Sequence, residues 1–141
     1  METVLGAVSD TPLTVLGAGG ELVSEGARSG KLFVLKSGDL EVVRDGSVVA
    51  TLSEPGDIIG EMSVLLDVPH SATVRSRGGA EVHVIENPTV FLDANPAISR
   101  YVARTLAARL HNTTAHLIDM RRQAKAREDH EMFDKIFALL R

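Results

Sequence analysis

The sequence predicts a mainly β domain with helices: a jelly-roll-like β-roll followed by C-terminal helices. Three observations predict it. From Leu13 to Ile85 the apolar residues fall in short runs rich in Val, Leu and Ile (LTVL, ELVSEG, KLFVLKSG, DLEVV, SVVATL, GDII, SATV, EVHVI), punctuated by Gly and Pro. That is the spacing of many short strands closing on themselves. After Asn95-Pro96 the period becomes four, with Ile98, Val102, Leu106 and Leu110 forming one helical stripe. Finally, neither Gly nor Pro interrupts the chain from Ala97 to Arg141.

Each element follows from local chemistry. Gly17-Ala18-Gly19-Gly20 reads as a turn, since Leu22 stands where a dinucleotide loop needs its third glycine and a strand follows. Ser37-Gly38-Asp39, Pro55-Gly56-Asp57 and Arg77-Gly78-Gly79 are read as further turns. Asp45-Gly46 between DLEVVR and SVVATL predicts a two-residue hairpin, because a type I′ turn needs positive φ at both central residues. Glu61–Leu66 lacks alternation and directly follows Gly60, so it reads as a short helical turn among strands or as a corner of the roll. In the helical reading, its N-terminus presents backbone N–H groups to an anion. Pro96 suits the first turn of a long helix. Leu117, Met120 and Ala124 continue the stripe to about Arg127, and MFDKIFALL forms a last amphipathic segment. The expected organisation is one domain over 1–127 with an amphipathic helix at 128–141.

Composition narrows the function. The chain has 141 residues, 44% hydrophobic and 24% charged, enough for one core and too few for two full domains. No apolar run approaches a membrane span, and the first residues lack the basic and apolar regions of a signal peptide. With no cysteine there is no disulfide framework, thiolate metal site or thiol nucleophile, and the expected compartment is the cytoplasm. Residues 1–99 carry 6 Lys and Arg against 14 Asp and Glu, and residues 100–141 carry 9 against 5. An acidic body matches a nucleic-acid backbone poorly. Arg100, Arg104, Arg109, Arg121, Arg122, Lys125 and Arg127 read as the solvated face of a helix, since no aromatic residues interleave with them. Past Arg127 no helix-turn-helix is expected, since the residues given there are too few for one. His70, His83, His111, His116 and His130 are scattered without metal-ligand spacing, and His83, between Val82 and Val84, is expected to face outward. No enzyme, cofactor or metal site is expected.

The stretch LVSEGARSGKLFVLKSGDLEVVRDGSVVATLSEPGDIIGEMSVLLDVPHSATVRS resembles the cyclic nucleotide-binding domain family. Gly26, Gly38, Gly56, Gly60, Glu61, Pro69, Ala72, Thr73 and Val74 fall in step with its pattern, over about residues 13–120. The resemblance implies a pocket for cyclic AMP or cyclic GMP around Ile59, Gly60, Glu61, Met62, Ser63, His70, Ser71 and Ala72. It implies that Glu61 accepts the ribose 2′-hydroxyl, that the N–H groups of Met62, Ser63 and Ala72 face the cyclic phosphate, and that Ser71 offers its hydroxyl beside it. Arg109-Leu110-His111-Asn112-Thr113-Thr114 is similar to the dimer-forming helix of the catabolite activator class, which implies that Thr113 and Thr114 hold an adenine at a dimer interface. The implied protein is a homodimeric sensor, coupled through its C-terminal helices to a protein partner or effector domain.

His70 departs from the pattern, standing where the family places an arginine. Arginine meets a phosphate with a permanent charge and a planar fork of donors; neutral imidazole has one donor and one acceptor. Three readings stand: weakened or pH-dependent cyclic nucleotide binding, a different small ligand, or a vestigial pocket on a constitutive dimerisation module. Arg75 lies too far along the next strand to be assigned to the phosphate.

Overall fold

The computed structural model describes residues 3–124 and 127–141. The elements run α1 (Val4–Ala7), β1 (Leu13–Leu16), β2 (Glu21–Val23), β3 (Leu32–Arg44), β4 (Ser47–Leu52), β5 (Ile58–Ile59), α2 (Glu61–Leu66), β6 (Thr73–Ile85), α3 (Pro88–Ala94), α4 (Pro96–Gln123) and α5 (Arg127–Ala138). The chain divides into two compact units, Met1–Arg100 and Tyr101–Arg141.

The first unit is the β-roll. Its strands pair in the order β1-β6-β3-β4, with β2 added to β6 and β5 to β3, all antiparallel. Leu35, Leu40 and Val82 are fully buried and cluster with Val23, Phe33, Ile59, Val74, Ala80 and Val84. Burying each of the larger of these side chains is worth about 1.5–3 kcal/mol.

The Asp45-Gly46 hairpin forms as expected, with φ of 50° and 78° and with Arg44 paired to Ser47 across the turn. Pro55-Gly56 and Ala18-Gly19 also turn the chain. Two other expected turns do not exist. Ser37-Gly38-Asp39 lies inside β3 and Arg77-Gly78-Gly79 inside β6, each strand running 13 residues. The register slips between Leu35 and Ser37 and again between Gly38 and Leu40. Bulges of this kind bend a strand without ending it. Gly38 and Gly79 have φ of 89° and 108°, and a Cβ on Gly38 would stand 2.2 Å from the Gly79 carbonyl oxygen. The two glycines therefore mark one shared bend where the backbones touch.

Two short helices escaped the sequence reading. Thr3 caps α1, its Oγ1 accepting from the Gly6 N–H at 3.0 Å. Pro88 opens α3, and Asn95 closes it with Nδ2 donating to the Phe91 carbonyl at 2.8 Å. Both are less than three turns long, below the length at which a hydrophobic stripe becomes visible. His83 is a correction: it is 7% exposed, with Nδ1 3.3 Å from Thr11 Oγ1. The Thr11 hydroxyl donates to the Val8 carbonyl at 2.7 Å, so the N-terminal segment covers the strand face that alternation assigned to solvent.

The second unit is helical. Arg104, Arg109, Arg121 and Arg122 lie exposed on α4, and Arg100 is exposed where that helix leaves the first unit; Lys125 lies outside the described residues. Arg121 donates to Asp134 at 3.1 Å and stands 5.2 Å from the Phe137 ring centroid, joining α4 to α5. Phe133 is buried, while Leu110, Met120, Met132 and Leu139 remain exposed. No described helix is long and apolar enough to cross a membrane.

Gly38→Ala is expected to destabilise the roll by about 2 kcal/mol or more, because positive φ and a backbone collision act together. Gly78 lies on the same stretch with open space around it, so Gly78→Ala is expected to change stability by only about half a kcal/mol. Urea midpoints of the two variants make the comparison, and equal losses would remove the role assigned to the shared bend.

Candidate functional site

The segment between β5 and β6 is built around one left-handed glycine. Ile58 and Ile59 are buried and pair with Val34 and Phe33. Gly60 then turns with φ 92°, where a side chain is strained by the backbone, and a Cβ there would crowd the Lys31 carbonyl oxygen at 3.0 Å. The turn starts α2, with Glu61 in its first turn and no side chain capping its N-terminus. The first N–H groups of a helix lack intrahelical acceptors, and those of Met62 and Ser63 lie in this first turn.

The helix is brief because its C-terminal end is closed three ways. Asp67 adopts the left-handed conformation at φ 53°. The Val68 N–H donates to the Ser63 carbonyl at 3.2 Å, and Ser63 Oγ donates to the Val68 carbonyl at 2.5 Å. The Ser63 side chain is thus a structural clasp, leaving its backbone as the part that a ligand could reach.

The return arm is laced to the loop between β2 and β3. His70 N–H donates to the Ala27 carbonyl at 2.9 Å and Gly26 N–H to the His70 carbonyl at 2.8 Å. Glu25 N–H donates to Thr73 Oγ1 at 2.9 Å, and Arg28 reaches both the carbonyl and a carboxylate oxygen of Asp67 at 3.3 Å. The sequence reading took only Gly26 from this loop. The residues that grip the arm are short and polar, and nothing in SEGARSGK marks them by spacing.

His70 is 6% exposed, with its Nε2 2.8 Å from Ser29 Oγ. The same Ser29 oxygen accepts the Lys31 N–H at 3.2 Å. The ring's Cε1 lies 3.7 Å from where a Gly60 Cβ would be. Burial pushes the imidazole pKa down from its ordinary value, because the charged form loses more on desolvation. The pH window expected for charging this residue accordingly moves below 6.5. Ser71 is exposed, Ala72 half-buried and Met62 48% exposed. Thr113 is exposed and Thr114 half-buried, adjacent on α4 in the second unit. Arg75 pairs with Glu41 at 3.5 Å, directly opposite it across β3 and β6. A cleft of about 350 Å³ opens at the outer end of α2, between Arg28, Asp67, Val68 and the Glu86–Thr89 segment; Glu61, His70 and Ser71 do not line it.

Residues 13–91 match the family described as "Cyclic nucleotide-binding domain". The chain belongs to that family. This cyclic nucleotide-binding domain is 39% identical over 74 residues to an ABC transporter ATP-binding protein of Mycobacterium tuberculosis, a match covering 49% of this chain and 22% of the relative. It is 36% identical over 58 residues to a cAMP-dependent protein kinase regulatory subunit of Debaryomyces hansenii, covering 41% and 13% of the two chains. The match thus spans about a fifth or less of the length of these relatives. Its fold is that of the Thermus thermophilus catabolite activator protein, with a TM-score of 0.71 and 24% identity over 81% of this chain and 56% of that one.

Lowering the His70 pKa in the folded state has a definite sign. Its contribution to stability is fully present above the unfolded-state value near 6.5 and is lost as pH falls below it, because the unfolded chain then takes up a proton that the native ring resists. The thermal midpoint of the wild type is expected to fall more steeply between pH 7.5 and pH 5 than that of His70→Gln. Parallel curves would show that the ring is not held neutral by burial.

Proposed function

We propose that this domain is a cyclic nucleotide sensor, with cyclic AMP the favoured ligand, which signals through movement of its C-terminal helices. The observation that carries the reading is the glycine-headed α2 with Glu61 in its first turn, in a chain that belongs to the cyclic nucleotide-binding domain family. Glu61 would accept the ribose 2′-hydroxyl, as an ionised carboxylate can only accept. The N–H groups of Met62, Ser63 and Ala72, with the Ser71 hydroxyl, would surround the cyclic phosphate, and Ile59 supports the turn from the core. His70 would meet the phosphate as a neutral imidazole. The likeness to a cAMP-dependent kinase subunit and the Thr113-Thr114 pair favour adenine. Domains of this family are regulatory, so the output is a shift in helix position or order, passed to a partner or an effector domain.

A second reading, a constitutive interaction module with an altered pocket, is favoured by one observation: the residue in the arginine position is buried and already bonded to Ser29. Calorimetric titration with cyclic AMP and cyclic GMP separates the two. A ligand at 100 times its Kd should stabilise the folded state by about 2.7 kcal/mol. Glu61→Ala is expected to weaken binding about tenfold or more, and His70→Arg to tighten it by about 1.5–3 kcal/mol, roughly ten- to a hundredfold. No heat and no thermal shift at millimolar nucleotide would leave the second reading standing.

We also propose a homodimer formed through the C-terminal helices, supported by the apolar side chains left exposed at Leu110, Met120, Met132 and Leu139. Surfaces of this kind mark association sites. Sedimentation should give a dimer at micromolar concentration that Met120→Asp weakens; a monomer at about a hundred micromolar argues against it.

A further inference from the structure

Among the described residues β4 pairs with β3 alone, so it forms one edge of the sheet. In an antiparallel strand with a single partner, alternate residues turn their N–H and C=O groups away from it. Such a row of unpaired groups is a template for a further strand unless charge, proline or a bulge blunts it. β4 reads Ser47-Val48-Val49-Ala50-Thr51-Leu52, with neither charge nor proline. Its one irregularity is a bulge that leaves Val49 between the Val43↔Val48 and Val42↔Ala50 pairs, and Ala50 to Leu52 continue in regular register beyond it. Val48 and Val49, adjacent in sequence, are 52% and 60% exposed. The ends of this apolar strand are acidic. Asp45 stands in the hairpin turn, with the Glu25 carboxylate accepting its backbone N–H at 3.3 Å. Glu54 is exposed just past the other end, where its N–H donates to the Asp57 carboxylate at 3.2 Å. From residue 44 to residue 57, Asp45, Glu54 and Asp57 stand against Arg44 as the one Lys or Arg.

We propose that β4 is a docking edge for an extended segment of a partner protein, apolar at its centre and basic at both ends, which adds to the sheet as a further strand. Backbone hydrogen bonds would align it, and alternate side chains would set its specificity. Val48 and Val49 contact its apolar centre, while Glu25 and Asp45 at one end and Glu54 at the other meet its Lys or Arg residues. Charge decides between occupants. An acidic segment would bring like charges to both ends, and opposite charges across an interface speed encounter and fix register. A helix, whose own N–H groups are bonded internally, has no use for the unpaired groups of the edge. β4 contributes none of the residues assigned to the nucleotide, so this site is independent of that reading.

The test titrates ¹⁵N-labelled protein with two capped synthetic peptides, Lys-Lys-Thr-Val-Thr-Val-Lys-Lys and the same sequence with Glu in place of Lys, at low and high salt. The basic peptide should shift the amide signals of β4 with a Kd on the order of a hundred micromolar, and bind about fivefold more weakly at high salt. The acidic peptide should leave β4 unmoved. Val49→Lys places a charge on the edge and should weaken the basic peptide about tenfold, and Glu54→Lys should weaken it about threefold. Both positions are exposed, so neither variant should unfold the roll. Equal binding of the two peptides, shifts that fall outside β4, or no shift at millimolar basic peptide overturns the proposal. Movement of the β4 signals on diluting the protein alone would assign the edge to a second copy and overturn it as well.

Discussion

The structure depends on the close passage of β3 and β6 at Gly38 and Gly79. Ten residues of one strand pair with the other along its length, from Leu32↔Ile85 to Val43↔Thr73, and a side chain at the bend would strike backbone. The geometry of the cassette, the segment Gly60–Ala72 between β5 and β6, follows from this ladder. Ile59 enters it paired with Phe33, and Thr73 leaves it paired with Val43, so the segment Gly60–Ala72 bridges two points ten residues apart on the same strand. A straight strand would separate them by about 33 Å. Since α2 advances only about 9 Å over its six residues, the rest would have to be almost fully extended. Bending β3 at Gly38 shortens the gap and leaves slack for a helix, a closed C-terminal end and a return arm.

That slack is taken up by the loop between β2 and β3. It bonds to His70, Thr73 and Asp67 on the cassette side, and Lys31 reaches Glu86 just before α3. A displacement of the cassette therefore strains contacts that end beside the first helix after the roll. The ion pairs are exposed, so each contributes little by itself. The paired backbone bonds at His70 and the Gly60 packing are the stiffer part of the connection. In energetic terms the cassette is held by backbone geometry, with surface charge as a weak and salt-sensitive addition.

Position 70 shows how one side chain sets the chemistry of a shape that the backbone fixes. The backbone there does what the fold requires, bonding Gly26 and Ala27, whichever side chain it carries. The side chain is turned into a small polar enclosure with Ser29 and Gly60, where burial disfavours its charged form. Shape and charge are thus set separately in this segment: the backbone fixes the first, and the side chain's enclosure governs the second.

Much of this was legible in the residues. Short apolar runs and the Asp45-Gly46 pair determined the β-roll and its hairpin, because strand alternation and positive φ are local properties. The change of period after Asn95 determined α4, and the glycine before Glu61 determined where α2 could begin. The tertiary structure alone decided that Gly38 and Gly79 bend strands instead of ending them: a glycine at positive φ serves a turn or a bulge equally well, and the partner backbone selects which. It alone decided that His83 is covered, since alternation assigns a residue to a face without saying what another segment lays over that face. And it alone joined Ser29 to His70, 41 residues apart, a contact that exists only because the cassette folds back over a loop whose own sequence carries no periodic signal.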